Sequence, residues 1–357
     1  MKRIGILNSG GDCPGLNAVL SGAVRAASAL RWDVIGFKDG YEGLLSLTEN
    51  VQLTPKSTAG IMSLGGTILG TTNKGHFVAK VGAGDKMAVP PEVIAKSRAT
   101  LAALGIDALI CIGGDGSLTT AQQLVEAGIP CVGVPKTIDN DLDATAMTFG
   151  FDSAVACVAD SLDRLRTTAD SHKRVLVVEA MGRHAGWIAL YGGLAGGGDV
   201  ILIPEIPFDF EKVACAVRRR DAEGALSTLI VVAEGAKPRD GKQLMHSTGS
   251  GEYKLGGMAE VVAREVAKRT GKETRSCVLG HLQRGGPPTT LDRILGTHFG
   301  VKAVDLIQRG KFGHMVSYQN YEVTDVPIQD AVHRLRLVKP DSQMVSTAKA
   351  IGISFGD

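Results

Sequence analysis

The sequence predicts an α/β protein made of two similar doubly wound lobes with mainly parallel sheets. Three features carry that reading. Residues 108–141 spell strand, loop, helix, strand, loop, which is the grammar of a βαβ unit. The chain holds 46 glycines, and they cluster where apolar runs end, as in a loop-rich binding face. The alternation of apolar run and amphipathic segment then occurs a second time, which predicts the second lobe.

A length of 357 residues suits two domains or one large α/β unit, and 44% apolar residues supply an ordinary core. The net charge of +2 gives no electrostatic footprint for nucleic acid or a membrane surface. An aromatic content of 4% also argues against base-stacking platforms. No stretch approaches ~18 uninterrupted apolar residues, and the first apolar run is too short for a signal peptide. Cys13, Cys111, Cys131, Cys157, Cys215 and Cys277 form no CxxC pair, so buried free thiols in a reducing compartment are expected. A soluble, cytoplasmic protein is the expectation.

Taken in order, residues 3–7 form a strand that runs into Asn8-Ser9-Gly10-Gly11-Asp12-Cys13-Pro14-Gly15, and a helix follows over 16–30. This turn is either a phosphate cradle, because a helix N-terminus carries unpaired N–H groups, or a tight strand-to-helix turn with no ligand. It matches neither GxGxxG nor GxxxxGK[ST]. A second strand over 33–37 leads to the loop 39–43. There Tyr41 either packs on a nucleotide base or caps the sheet. Residues 65–75 form another glycine and threonine loop with a basic end, and 75–91 read as an irregular surface excursion. A helix over 92–104 is closed by Gly105.

The central unit has strands over 108–112 and 131–134 around a helix over 118–126. A long helix covers 153–168, and a strand over 175–178 delivers Glu179 through Trp187. Further strands are read at 200–204, 229–232 and 275–279, and helices at 211–220, 258–269 and 291–309. The polar stretch 241–254 reads as a mobile loop. The last 40 residues carry weaker signals.

The loops after the central strands offer glycines, hydroxyls, Lys136 and the carboxylates Asp115, Asp139 and Asp141, a set suited to phosphoryl transfer. Mg²⁺ takes few carboxylates, and transfer to an alcohol benefits from a carboxylate that accepts the hydroxyl proton. Asp139 and Asp141 stand two apart in an extended reading; the alternative is an Asx-turn capping a helix. Arg174, Arg183, Arg275, His281 and Arg284 lie at strand ends or just beyond, and together on one face they would suit a phosphorylated substrate. Singly, each reads as a solvated surface charge. There is no HExxH and no GxSxG, so metalloprotease and α/β-hydrolase chemistry lack their signatures.

The segments SGGDCPGLNA (9–18), GGTILGT (65–71), GGDGS (113–117), PKTIDND (135–141), MGRHAGW (181–187) and ETRxxxLGHxQRGG (273–286) occur in this order. Together they closely resemble the 6-phosphofructokinase family over residues 3 to 310. The resemblance implies a donor-binding lobe of 1–150 plus 283–333 and a sugar-phosphate lobe of 151–282 plus 334–357, with the active site in the cleft between them. It implies glycolytic transfer of the γ-phosphoryl of ATP to the 1-hydroxyl of fructose 6-phosphate. Asp139 matches the family's catalytic base, with Thr137 and Asp141 beside it. Asp115 matches the Mg²⁺-linked carboxylate, Gly11 a donor-phosphate contact and Tyr41 a nucleotide-site contact. Thr72, Asn73, Lys74, Gly114, Gly116, Ser117 and Lys136 fall in the donor loops. Met181, Gly182, Arg183 and Glu234 match the sugar pocket. Arg174, Arg275, His281 and Arg284 match sugar-phosphate binders, some of them supplied across a subunit interface, which implies a homodimer or homotetramer with shared sites.

Family members use ATP or pyrophosphate. Pyrophosphate users typically carry Asp at the position of Gly116 and Lys at that of Lys136; many ATP users carry Gly at both. This chain has a mixed pair. Gly116 leaves room for the α-phosphate and ribose, so ATP is expected and pyrophosphate is the alternative. Asn73-Lys74 stands where many bacterial members have an arginine, so transition-state charge stabilisation there either passes to Lys74 or is weaker. Ser21 replaces an effector-site arginine, although Arg25 remains. A kinase for another phosphosugar and a non-catalytic sugar-phosphate sensor are the remaining readings.

Overall fold

Strand β1 (Arg3–Asn8) is buried at five of its six positions, as a strand inside a parallel sheet must be. The structure, a computed structural model, describes residues 2–77, 88–247 and 253–357. After β1 come α1 (Leu16–Ala29), β2 (Asp33–Phe37), β3 (Asn50–Leu53) and α2 (Pro91–Ala103). Proline at the first position of α2 fits, since that residue's N–H would have no intrahelical acceptor. The central unit is β4 (Ala108–Gly113), α3 (Asp115–Glu126) and β5 (Cys131–Pro135), and both strands are wholly buried.

The chain continues through α4 (Phe151–His172), β6 (Val175–Ala180), α5 (Trp187–Ala195), β7 (Val200–Leu202), α6 (Phe210–Ala222) and β8 (Thr228–Ala233). Next are β9 (Met245–Ser247), β10 (Tyr253–Leu255), α7 (Met258–Thr270) and β11 (Thr274–Val278). It ends with α8 (Thr290–Gln308), β12 (His314–Gln319), β13 (Glu322–Pro327), α9 (Ile328–Val332) and α10 (Gln343–Ala350).

Two compact units result. The first comprises Met1–Ile138, Leu142–Ser153 and Arg284–Leu335. Its seven-stranded sheet has the order β13-β12-β5-β4-β1-β2-β3. The inner pairings are parallel, and each edge is closed by an antiparallel partner, β3 on β2 and β13 on β12. The second unit comprises Asp139–Asp141, Ala154–Gln283 and Arg336–Asp357. Its four-stranded sheet, β11-β6-β8-β7, is parallel throughout. The chain is therefore mixed α/β with mainly parallel sheets.

Several local expectations need correction. Helix α3 begins at Asp115 and not at 118, so Asp115, Gly116 and Ser117 form its first turn. Strand β7 stops at Leu202, short of 204. The polar stretch 241–254 holds the antiparallel pair β9 and β10. The last 40 residues contain the β12–β13 hairpin from its middle onward, whose half-buried β13 (EVTDVP) lacks a continuous apolar run to betray it. Most of the excursion read at 75–91 lies outside the described residues. The cysteines are all free, but only Cys13, Cys111 and Cys131 are buried, and Cys215 is exposed.

Candidate active site

In the first unit the sheet is built so that β1 and β4 run side by side, Leu7 beside Cys111, and β4 beside β5, Ile112 beside Val134. Their following loops therefore emerge together. The amide of Ser9 donates to the carbonyl of Ile112 over 2.8 Å, and that of Gly10 to the carbonyl of Thr72 over 3.2 Å. The Thr71 hydroxyl donates to the Gly10 carbonyl over 2.6 Å. Three loops are thus stitched at Gly10, which faces Ser117 Oγ, Lys136 Nζ and Asn73 Oδ1.

Lys136 is only 4% exposed, and its ammonium donates to the carbonyl of Gly11. Arg284 reaches the same loop, with Nη1 donating to the carbonyl of Asp12 over 3.0 Å. Arg284 thus belongs to the first unit, beside Gly11, whereas Arg174, Arg183 and Arg275 belong to the second.

Helix α3 has no side-chain cap. Its Gly114 end presents N–H groups and a partial positive charge, an arrangement that favours an anion. Gly113 makes the tight turn before it possible. A Cβ there would stand 2.2 Å from Ser117 Cβ and 3.2 Å from the carbonyl of Ser9. Asp115 is the single carboxylate in this first turn and is half-buried. Among the described residues no group of three or more His, Cys, Asp and Glu is placed to hold a metal ion.

Tyr41 does not line an open donor surface. It is 2% exposed, stacks on Phe77 at 5.4 Å, and donates from its hydroxyl to the Ser117 carbonyl over 2.6 Å. Burial against Phe77 turns it into a prop beneath α3. The basic loop is pinned separately. The amide of His76 donates to Glu42 over 2.6 Å, the Lys74 amide donates to the Thr72 hydroxyl over 3.0 Å, and Asn73 and Lys74 remain exposed.

The PKTIDND segment leaves β5 and passes from the first unit to the second after Ile138. The Thr137 carbonyl accepts the Thr148 hydroxyl at 2.7 Å. Asp139 and Asn140 are 4% and 3% exposed, and Asn140 takes the left-handed conformation (φ 52°), so this is a turn and not an extended pair. Asp139 faces Arg183, with Oδ2 to Nε at 3.9 Å.

Arg183 belongs to the turn after β6 and is itself left-handed (φ 52°). Its amide donates to Glu234 over 2.9 Å. A Cβ on Gly235 would stand 1.9 Å from the Arg183 carbonyl, so only glycine allows this approach. The amide of Met181 donates to the buried Gln283, and Gly182 passes through φ 136°. Burial, reinforced by the charges of Asp139 and Glu179, pushes the Glu234 carboxyl up to about 7. Glu179 is occupied in capping α7, accepting from the amides of Gly257 and Ala259.

Within the second unit, Arg174 and Arg275 lie toward one end of the sheet and Arg183 toward the other. Arg174 precedes β6, and Arg275 lies opposite Leu176 near the amino ends of the strands. Both pair with Glu273, at 2.9 and 2.6 Å. Arg183 lies past the other end of β6, about 20 Å away at ~3.3 Å per residue. His281 is exposed in the 3-10 turn Gly280–Arg284.

Gln283, which accepts the Met181 amide, is a residue the sequence did not single out, although it sits inside the motif 273–286.

A family model described as Phosphofructokinase matches residues 3–307. An ATP-dependent 6-phosphofructokinase of Chloroflexus aggregans is 49% identical over 356 residues, covering 100% of this chain and 98% of that protein. A pyrophosphate–fructose 6-phosphate 1-phosphotransferase of Streptomyces coelicolor is 46% identical over 359 residues, covering 99% and 100%. Among solved structures, phosphofructokinase from Saccharomyces cerevisiae superposes with a TM-score of 0.81 at 30% identity, covering 98% of this chain. The chain spans 47% of the yeast chain. On the stitched glycine loops, the Asp139–Arg183 pair and these matches, the chain belongs to the phosphofructokinase family.

Proposed function

We propose that this protein transfers the γ-phosphoryl of ATP to the 1-hydroxyl of fructose 6-phosphate, giving fructose 1,6-bisphosphate and ADP in glycolysis. The observation that carries the proposal is the Asp139–Arg183 pair at 3.9 Å, a nearly buried carboxylate next to a cationic turn at the carboxyl end of β6. Asp139 accepts the proton as the hydroxyl oxygen attacks. Arg183 holds the turn and faces the developing charge. Met181, Gly182 and Glu234 shape the sugar pocket. Gly11, the 72–74 loop and the uncapped start of α3 take the donor phosphates, and Lys74 supplies charge there.

Asp115 is the residue that would hold Mg²⁺. One carboxylate suits an ion that keeps water and phosphate oxygens as its other ligands, and when bound it would neutralise donor charge. Lys136 is engaged with the Gly11 carbonyl, so its presence follows from loop architecture and is compatible with a nucleotide. Gly116 adds no carboxylate to repel the α-phosphate. Arg174 and Arg275 serve the 6-phosphate of a partner subunit's site in a homodimer or homotetramer. The exposed edge of β11 supports this, with Arg275, Ser276 and Val278 uncovered. Six free thiols fit the reducing cytoplasm.

The test is fructose 1,6-bisphosphate formation with Mg²⁺ and either ATP or pyrophosphate as sole donor. Turnover with ATP alone is expected. Turnover with pyrophosphate alone would reverse the donor assignment, and turnover with neither would remove the reading.

A further inference from the structure

Three segments of the second unit, distant in sequence, meet at one arginine. The amide of Arg336 donates to the carbonyl of Asp141 over 2.8 Å. Its guanidinium Nη1 donates to the carbonyl of Asn140 over 3.4 Å. The same guanidinium lies over the Trp187 indole, 4.5 Å from the ring centre, while the Arg336 carbonyl accepts the indole N–H at 2.8 Å. Glu205 adds a parallel strut: it accepts the amide of Gly186 at 3.0 Å and that of Val338 at 2.9 Å. The segments 139–141, 181–187 and 336–338 are thereby cross-linked.

We propose that Arg336 is a positioning residue that holds the Asp139–Asn140–Asp141 turn in register with the turn carrying Arg183. Trp187 is the first residue of α5 and closes the 181–187 turn; Asn140 follows Asp139 directly. Arg336 therefore sets the separation of the two chain segments that carry the Asp139–Arg183 pair. Its side chain bonds a carbonyl in an irregular turn and stacks on the indole that opens α5. Asn140 takes a left-handed conformation, and the bonds from Arg336 to the Asn140 and Asp141 carbonyls restrain that turn. An error near 1 Å at a reacting group is enough to lower turnover by about 10²-fold.

The inference rests on the phosphotransfer reading, so its test carries one readout that needs no substrate. Arg336→Ala and Arg336→Lys are compared with the wild type by steady-state kinetics, melting temperature and amide hydrogen exchange over 139–141. For Arg336→Ala, kcat is expected to fall at least ~10-fold while KM for ATP stays within about twofold. Exchange at Asn140 and Asp141 should quicken at least ~10-fold with the melting temperature nearly unchanged. Added methylguanidine should restore part of kcat and of the protection. Arg336→Lys, with the charge but not the planar stack, should fall between the two. Unchanged exchange in Arg336→Ala would overturn the proposal. So would unchanged kcat in an active enzyme, or a joint fall of kcat and melting temperature without rescue. If the wild type turns over neither donor, the phosphotransfer reading fails, and the exchange result alone decides whether Arg336 positions the turn.

Discussion

The amide of Arg183 donates to the carboxylate of Glu234 over 2.9 Å, and this bond joins the turn after β6 to the end of β8. Burial raises the Glu234 carboxyl from 4.5 to about 7. A carboxyl raised in the folded state binds protons that the unfolded state has released. Between pH 4.5 and 7 its contribution to stability is therefore greatest at the acid end and is lost as pH rises. Glu234→Gln should flatten the pH dependence of stability in that window by at most about 1.4 kcal/mol per pH unit. Chemical denaturation of both proteins across the window checks it. Parallel stability curves would mean that the carboxyl does not titrate there.

Ionisation also changes what Glu234 offers a sugar. The anion accepts from the Arg183 amide and from a hydroxyl; the acid is a weaker acceptor. In the wild type kcat/KM for fructose 6-phosphate should rise through pH 7. In Glu234→Gln that limb should vanish. A limb that persists in the variant would assign it to another group.

Asp139→Asn keeps the shape of the side chain and removes the proton acceptor. Turnover should fall by about 10²–10⁴-fold with KM for both substrates within about twofold. Arg183 would lose its partner at 3.9 Å, so a small loss in melting temperature is also expected. Near-normal turnover in this variant would remove Asp139 from the chemistry.

The βαβ centre was readable because its strands are buried apolar runs and its loops carry glycines that the turns require. Gly113 is a clear case, since the Ser117 side chain occupies the space of its missing Cβ. The hairpin of β12 and β13 was not readable, because an edge strand needs no continuous apolar run. The choice between the two readings of Tyr41 was not legible for a related reason: its loop position is evident, but its burial depends on Phe77, 36 residues on. Arg174 and Arg275 could be placed at strand ends, but which end decides their company, and Glu273 is what marks it. Arg336 carries no motif at all, and its relevance arises only where the chain returns to the second unit.

Gly113→Ala should push the first turn of α3 away from the loop after β1, costing about 1–3 kcal/mol by overpacking and raising KM for the donor. Adding Ser117→Gly removes the contacts at 2.2 and 2.6 Å and should recover much of the stability. The carbonyl of Ser9 at 3.2 Å remains, so recovery should be incomplete. Thermal melts and donor titrations of the single and double variants read this out. Strict additivity of the two substitutions would show that the steric account is wrong.

Arg275 and Asp139 lie toward opposite ends of the second unit's sheet, yet the proposed chemistry needs both kinds of group at one sugar phosphate. A subunit whose Arg275 serves its partner resolves this, and it makes a quantitative prediction. Asp139→Asn and Arg275→Ala should each be nearly inactive alone. In a mixed dimer, one site would carry both lesions and the other neither. Random reassociation of equal amounts makes half of the dimers mixed, with half of their sites intact. Activity should therefore return to about a quarter of the wild type. Assay of the two variants reassociated in equal amounts measures it, and the mixed dimer isolated by two different tags should reach about half of the wild type. A mixture no more active than its parents would confine each site to a single subunit and leave Arg275 to its ion pair with Glu273.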